Sequence, residues 1–218
     1  NLTLIENNNH YIDNYFITTH PDEIKTIISK KKMNFLPIPV DENIENLEIY
    51  NSRNRYKDLF FALSHGVNFG DLKRRKTDER EIVINNLMKK FPKINYNFLG
   101  IANEKPKWNY DFFDELLKTK MALNLSRGKP LKYTSSNRIA ALIGNGIYTF
   151  IDKKTNFKDF FNENEVGSYK DLDDLGSKIE KLKSKPNLIN KYGKAGRDKY
   201  FKLFNTKKIS KEIIDIIF

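Results

Sequence analysis

The sequence contains no cysteine, which excludes disulfides, thiolate metal sites and cysteine nucleophiles together. It also has no apolar run near the roughly 18 residues that a membrane-spanning helix needs. The opening residues, Asn1 to Leu4, show neither the basic-then-apolar pattern of a signal peptide nor an initiator methionine. We therefore expect a fragment of a longer protein from a reducing compartment, the cytoplasm.

The composition is that of a folded chain. Hydrophobic residues make up 39% and charged residues 31%, a balance typical of globular rather than disordered proteins. A length of 218 residues is enough for one large domain or one and a half small α/β domains.

The formal net charge of +11 has two interpretations. A nucleic-acid-binding protein would concentrate lysine and arginine on one face and interleave aromatic residues. An AT-rich genome would raise lysine, asparagine and isoleucine together, and all three are abundant here, with lysine spread along the whole chain. We favour the second interpretation. A basic chain also suits anionic sugar donors and peripheral contact with the anionic inner face of a membrane.

The first forty residues have the pattern of one β-α-β unit. Residues 15–19 form a β-rich run, and Pro21 followed by two acids predicts the start of a helix. The apolar face of that helix would consist of Ile24, Ile27 and Ile28. Residues 35–40 form a second extended run, whose prolines indicate an edge or a strand end. The polar residues 41–55 predict a linker.

Strands and helices alternate from residue 57 onward. Strands are predicted at 57–63, 94–100, 121–125 and 147–151. Helices are predicted after Asp78, at 110–118, at 136–143, from Leu172, from Pro186 and around Ile209. This alternation indicates an α/β fold with a Rossmann-like, doubly wound parallel sheet. Ligands bind such sheets at the carboxyl ends of strands, so the loops after Leu63 and Leu125 are the candidate sites.

The first of these loops, residues 64–76, combines glycine with positive charge. Its glycines let the backbone approach a ligand, and its basic residues suit a diphosphate. The candidate residues are His65, Gly66, Asn68, Gly70, Lys73 and Arg74. The loop matches neither a Walker A motif nor the dinucleotide fingerprint, and a flexible turn with solvated lysines is the alternative.

The second loop, residues 126–138, runs from a buried strand into the start of a helix. Ser135 or Ser136 can cap that helix, whose free N–H groups and dipole would form an anion site. The candidate residues are Ser126, Arg127, Lys132, Tyr133, Ser135, Ser136, Asn137 and Arg138. The alternative is an ordinary capped helix, but two such loops at one sheet edge favour a function.

The sequence offers no obvious catalytic base and no metal site. His10 and His20 have no partner at ligand spacing. The acidic run that begins at Asp171 looks like a metal motif, but it opens an amphipathic helix, where acids favour the dipole.

Several segments resemble the C-terminal domain of CgeB-like, group 1 bacterial glycosyltransferases. They are residues 61–73, 126–130, 135–139, Gly144-Asn145-Gly146, 148–152, 192–197 and Phe204-Asn205. The resemblance covers roughly Asp58 to Phe218 and depends on the order of the segments more than on any one motif.

The resemblance implies a GT-B fold, in which two Rossmann-like domains face each other and the second holds a nucleotide-sugar donor. Residues 1–45 would then end the acceptor-side domain, 46–205 would bind the donor, and 206–218 would form a crossover helix. The implied reaction transfers a sugar to a cell-surface glycan or lipid-linked acceptor without a metal or cofactor. The base that activates the acceptor would normally come from the first domain, so we expect this chain alone to be inactive.

One position departs from the family pattern. Many relatives have a glutamate that contacts the donor ribose, and the matching position here is Ala141.

Two other functions stay open: a non-catalytic nucleotide- or sugar-binding module, and a basic nucleic-acid-binding α/β protein. The second is disfavoured because aromatic residues do not cluster with the basic loops, so we expect no nucleic-acid partner.

Overall fold

The structure is a computed structural model that describes residues 2–63, 79–101 and 104–218. The strands are β1 (Tyr15–Ile17), β2 (Met33–Phe35), β3 (Lys57–Ala62), β4 (Tyr96–Leu99), β5 (Thr119–Asn124), β6 (Tyr148–Asp152) and β7 (Gly167–Tyr169). The α-helices are α1 (Leu2–Asn7), α2 (Glu79–Lys90), α3 (Asn109–Leu117), α4 (Asn137–Gly144), α5 (Leu172–Leu182), α6 (Pro186–Phe204) and α7 (Thr206–Ile217).

Five of the strands form one parallel sheet in the order β4-β3-β5-β6-β7. The chain moves from β3 to β4 on one side and then returns past β3 to β5 on the other. The direction of winding therefore reverses between β3 and β5, which makes this the topological switch point of the sheet. The prediction of a doubly wound parallel sheet is confirmed.

Helices cover both faces of the sheet, so its central strands are buried on both sides. On one face Leu59 and Phe61 pack in a cluster with residues of α2 and α5. On the other face Phe60 packs with Leu116 of α3 and Leu142 of α4. This two-sided burial explains why β3 contains a continuous run of apolar residues rather than alternating apolar and polar residues.

Helix α6 approaches the sheet closely at two glycines. A Cβ atom on Gly193 would lie 2.3 Å from the carbonyl oxygen of Gly146, and one on Gly196 would lie 2.3 Å from that of Glu165. These distances are too short for any real Cβ contact. The glycines therefore set how near α6 can lie to the beginnings of β6 and β7.

The prediction of a helix after Pro21 is wrong. Strands β1 and β2 are parallel, and the chain between them forms two short 3-10 turns, Pro21–Glu23 and Lys30–Lys32, with no α-helix. After the first turn the chain extends at Ile24. The ammonium of Lys30 donates to the carbonyls of Pro21 and Ile24, and the backbone N–H of Ile27 donates to the Glu6 carboxylate. Side chains thus satisfy backbone groups that a helix would have used.

The predicted strand at 35–40 is shorter than expected. Regular pairing ends at Phe35, because Pro37 and Pro39 have no N–H to donate. Val40 instead makes a single parallel bridge with Asn205, where its N–H donates to the Phe204 carbonyl at 3.0 Å. This segment therefore lies against the α6–α7 junction.

The predicted linker, residues 41–55, contains one 3-10 turn and no α-helix or strand. It is held in place by Asn145. The N–H of Ile49 donates to the Asn145 carbonyl at 2.9 Å, and the N–H of Leu47 donates to Asn145 Oδ1 at 3.0 Å. The linker is thus packed against the turn between α4 and β6. The division into domains stays a prediction.

The close approach of α6 gives a test of the packing. Replacing a glycine by alanine inside a helix normally stabilises a protein by up to about 1 kcal/mol. For Gly193→Ala we expect the opposite sign, a loss of about 1–3 kcal/mol, because the methyl group must displace the Gly146 backbone. Denaturant unfolding measures the change. Lys191→Ala on the exposed side of α6 is the control, and a stabilised Gly193→Ala protein would contradict the packing described here.

Candidate functional site

A cleft of about 270 Å³ opens at the carboxyl edge of the sheet, beside the switch point. Ala62 and Leu63, at the end of β3, form part of its lining. The start of α4 lines one side, and the segment that leads into α3 lines another. None of the described residues that line the cleft is acidic. The cleft therefore favours an anionic or acceptor-rich ligand over a cation.

Arg138 joins the start of α4 to the ends of both central strands. Its Nη1 donates to the Leu125 carbonyl at 3.1 Å, and its guanidinium carbon lies 5.1 Å from the centre of the Phe61 ring. Arg138 lines the cleft together with Asn137. Because these contacts come from β3 and β5, the positive charge is fixed at the switch point itself.

Ser136, rather than Ser135, caps α4. Its hydroxyl accepts from the N–H of Ile139 at 3.3 Å, as the side chain of an N-cap residue does. The positive end of the helix dipole lies next to the cleft, since Asn137 is the first residue of the helix and lines the cleft. This is the arrangement that binds phosphate in many α/β proteins.

Ser135 is buried and contacts the N-terminal segment. Its hydroxyl accepts from the N–H of Ile38 at 2.9 Å, and its own N–H donates to the Thr18 carbonyl at 2.7 Å. Tyr200 donates to the Ile38 carbonyl at 2.9 Å, and burial raises the pKa of its phenol. The second loop is thereby tied to residues 18–38.

Tyr133 and Lys132 also face this segment. Tyr133 has a left-handed backbone with φ of 60°, and its hydroxyl donates to Asp159 at 2.7 Å. Its ring centre lies 5.4 Å from that of Phe35, and Lys132 Nζ lies 4.8 Å from the same tyrosine ring. Neither residue lines the cleft.

The other predicted site residues divide into two groups. The first group lies outside the cleft lining and consists of Ser126, which is half-buried, and Arg127, which is exposed. Next to them, the N–H of Gly128 donates to the Glu79 carboxylate at the start of α2. The first-loop residues His65, Gly66, Asn68, Gly70, Lys73 and Arg74 lie outside the described residues.

The cleft residues that were not predicted include Lys107, Trp108 and Asn109. Trp108 is the only tryptophan of the chain and is 41% exposed. Asn109 begins α3 with a left-handed φ of 51°. The signal that could have found them is a basic and aromatic stretch directly after a predicted strand, at the same sheet edge as the other two loops.

Glu115 anchors the lysine at the rim of the cleft. Its carboxylate lies 2.8 Å from both Lys107 Nζ and Lys118 Nζ, and its side chain is 14% exposed. Burial alone would raise the pKa of Glu115, but the hydrogen bonds from the two lysines outweigh it and lower that pKa below the ordinary value. Glu115 is therefore ionised and holds Lys107 beside Trp108.

A larger cavity of about 370 Å³ lies between the end of β6 and the start of β7, among Phe157, Phe161 and Val166. Its carboxylates, Asp152 and Glu163, distinguish it from the first cleft. We take the smaller cleft as the candidate site because it lies at the switch point, between Arg138 and Trp108.

The described ranges contain no group of three metal-ligating side chains and no helix of the length and apolar character that crossing a membrane requires. The acidic run at Asp171 begins α5, as predicted, with the Asp171 carboxylate accepting from the N–H of Asp174 at 2.9 Å.

The fold and the cleft define a Rossmann-like chain with an open cleft at its switch point. Residues 74–215 match the family described as glycosyl transferase-like. The chain belongs to this family. No curated protein matches it.

Solved structures of GT-B glycosyltransferases share the fold at low sequence identity. HepE of Anabaena, in complex with UDP and glucose, has a TM-score of 0.71 and 10% identity over 99% of this chain. A TarM variant of S. aureus, in complex with fondaparinux, α-GlcNAc-glycerol and UDP, has a TM-score of 0.60 and 12% identity over 98% of it. Sucrose-phosphate synthase of Thermosynechococcus elongatus has a TM-score of 0.60 and 12% identity over 100% of it. The chain spans 66%, 45% and 61% of these three proteins.

The lowered pKa of Glu115 predicts an acid-dependent loss of stability. The ion pairs stabilise the fold above the ordinary glutamate pKa of 4.5, and that contribution disappears as the pH falls through the lower folded value. We expect Glu115→Gln to cost on the order of 1 kcal/mol at pH 7 and to reduce the loss of stability below pH 4.5. Thermal unfolding from pH 3 to pH 7 measures both effects. Glu104→Gln, at an exposed carboxylate nearby, is the control, and equal pH profiles for all three proteins would refute the assignment.

Proposed function

We propose that this chain holds a nucleotide-sugar donor in the cleft beside the switch point, as the donor-binding half of a glycosyltransferase. The transferase would move the sugar to a cell-surface glycan or a lipid-linked acceptor. The observation that carries the proposal is a cleft with a fixed arginine, a helix N-terminus and an exposed tryptophan, in a chain of the glycosyl transferase-like family. Among the described residues that line this cleft, none is acidic.

The lining suggests how the donor would lie. Trp108 offers a ring on which a nucleobase can stack, and base–aromatic stacking contributes about 1–3 kcal/mol in single-stranded nucleic-acid sites. The start of α4 and Arg138 would meet the diphosphate. Lys107, held by Glu115, would add charge at the rim. Ala141 also lines the cleft, so no carboxylate at that position can bind the ribose.

The same groups would contribute to catalysis. As the bond between the sugar and the diphosphate breaks, negative charge grows on the leaving diphosphate. Donors that are already fixed in position stabilise this charge without reorganising, which is a large term in many enzymes. Lys73 and Arg74, from the predicted glycine loop, are further candidates for this role. We propose that the reaction uses no metal or cofactor.

The neighbours support a uridine nucleotide as the first donor to test, since HepE and the TarM variant were each solved with UDP. The groups that bind the acceptor and the base that activates it would come from the first domain of the GT-B fold. We also propose that the net charge of +11 favours work near an anionic membrane surface.

The single tryptophan makes the proposal testable by fluorescence. We expect UDP, or one of GDP, ADP and CMP, to quench Trp108 in a saturable titration, because the ring lies in the cleft. Arg138→Gln should weaken that nucleotide by about tenfold, the loss of one charge-assisted hydrogen bond. Calorimetry confirms the affinities and also measures Trp108→Ala, which should bind more weakly.

Lys191→Ala, remote from the cleft, is the control for charge, and circular dichroism confirms that each variant is folded. A folded protein that binds none of the four nucleotides would contradict the proposal. Binding without transfer by the full-length protein would favour a non-catalytic module. Salt-sensitive binding to random RNA in place of nucleotides would favour a nucleic-acid-binding protein.

A further inference from the structure

Asn124 ends β5 with a side chain that has no hydrogen-bond partner among the described residues. The residue is only 4% exposed, and its Oδ1 is buried without a donor. Buried amides are almost always hydrogen-bonded, because a buried polar atom without a partner loses its contact with water and gains nothing in return. An unpaired amide inside a well-packed sheet therefore needs an explanation.

The position of Asn124 places it next to the cleft. The β3–β5 register pairs Phe60 with Ala122, so Ala62 lies beside Asn124 two residues further along. Phe60 and Ala122 both pack on the face that α4 covers, and side chains two apart share a face. Asn124 is therefore on the α4 side of the sheet, adjacent to Ala62, which lines the cleft.

The pairing of Asn124 with the neighbouring strand β6 leads to the same position. Asn124 is paired with Ile151 of β6, which packs in one cluster with Ile139 and Ala140 of α4. The unpaired amide thus lies at the base of the first turns of α4, between the end of β3 and β6. The start of that helix and the cleft are at the same edge of the sheet.

We infer that Asn124 binds a hydroxyl group of the donor, which donates to Oδ1 when the nucleotide-sugar occupies the cleft. This rests on the proposed function. A phosphate cannot fill this role, because an ionised phosphate has no proton to donate to a carbonyl-type oxygen. A sugar hydroxyl can donate to Oδ1 and accept a hydrogen bond at the same time. The hydroxyl can come from the ribose or from the transferred sugar.

The alternative is that Asn124 is a structural residue satisfied by a buried water. The chain provides a matched control for this possibility. Asn97, in β4, is also buried, at 7% exposure, but its Nδ2 donates to the Glu115 carbonyl at 2.8 Å and to Thr119 Oγ1 at 2.9 Å. A structural asparagine should behave like Asn97 when it is replaced.

The experiment compares Asn124→Leu with Asn97→Leu, using thermal unfolding and the fluorescence of Trp108. For Asn124→Leu we expect an unchanged melting temperature or a rise of about 2–4 °C, because the substitution removes an unpaired buried amide. We expect its affinity for UDP or UDP-glucose to fall about tenfold, the loss of one hydrogen bond to a buried acceptor. Asn97→Leu should melt at a lower temperature and keep its affinity.

Analogues identify which hydroxyl is bound. If it belongs to the ribose, 2′-deoxy-UDP or 3′-deoxy-UDP should bind wild type about tenfold more weakly than UDP does and should bind Asn124→Leu as well as UDP does. If it belongs to the sugar, Asn124→Leu should lose affinity for UDP-glucose and keep it for UDP.

Two outcomes would overturn the inference, and they are distinct from failure of the proposed function. One is an Asn124→Leu protein that melts lower, as Asn97→Leu does, and binds UDP and UDP-glucose like wild type. The other is an equal loss of affinity in both variants. If wild type binds no nucleotide at all, the proposed function fails first, and this inference fails with it.

Discussion

The pairing of β3 with β5 is the contact on which the sheet and the cleft both depend. β3 lies between β4 and β5, and the chain winds away from it toward β4 on one side and toward β5 on the other. Its residues Leu59 to Phe61 are completely buried. Because the connections that leave the carboxyl ends of β3 and β5 run to opposite sides, the neighbouring loops diverge and a cleft opens. Gly100 lets the end of β4 approach the end of β3 closely: its φ is 72°, and a Cβ there would lie 1.7 Å from the Leu63 carbonyl oxygen.

The sequence predicted the sheet well for a physical reason. Strands buried on both faces must be apolar throughout, and helices that cover them must be apolar on one side, as Ile84 and Leu87 of α2 are. These patterns are local, so they can be read from the chain alone. The ends are less certain: Ile94 and Gly100 belong to turns around β4, although their apolar or small side chains continue the strand pattern.

The wrong prediction of a helix after Pro21 has a non-local origin. The proline and acids at Pro21 do start a turn, but whether it continues depends on partners elsewhere in the chain. Lys30 and Glu6 supply those partners by binding backbone groups directly. No local pattern encodes this competition. Tertiary contacts decided it, as they often do where propensity is weak.

The candidate site was predicted in part for the same reasons. The cap of α4 and the position of Arg138 follow from a strand–loop–helix pattern, which is local. The roles of Ser135 and Tyr133 do not, because the N-terminal segment binds them. Trp108 and Lys107 were missed because spacing along a loop does not tell which side chains turn toward the neighbouring strand. A three-dimensional contact is needed to select them.

The distribution of positive charge connects these observations. Several lysines at different places in the fold use their ammonium groups to satisfy main-chain carbonyls. They include Lys32, which donates to Asn9 and Ile12, Lys120 to Lys183, Lys178 to Ser168, and Lys183 to Lys93. A charge distributed in this way gives little direction to an approaching anion. Direction at the cleft comes instead from Arg138, which is fixed by Leu125 and Phe61 beside described lining residues that include no acid. The local arrangement rather than the net charge would therefore select the ligand.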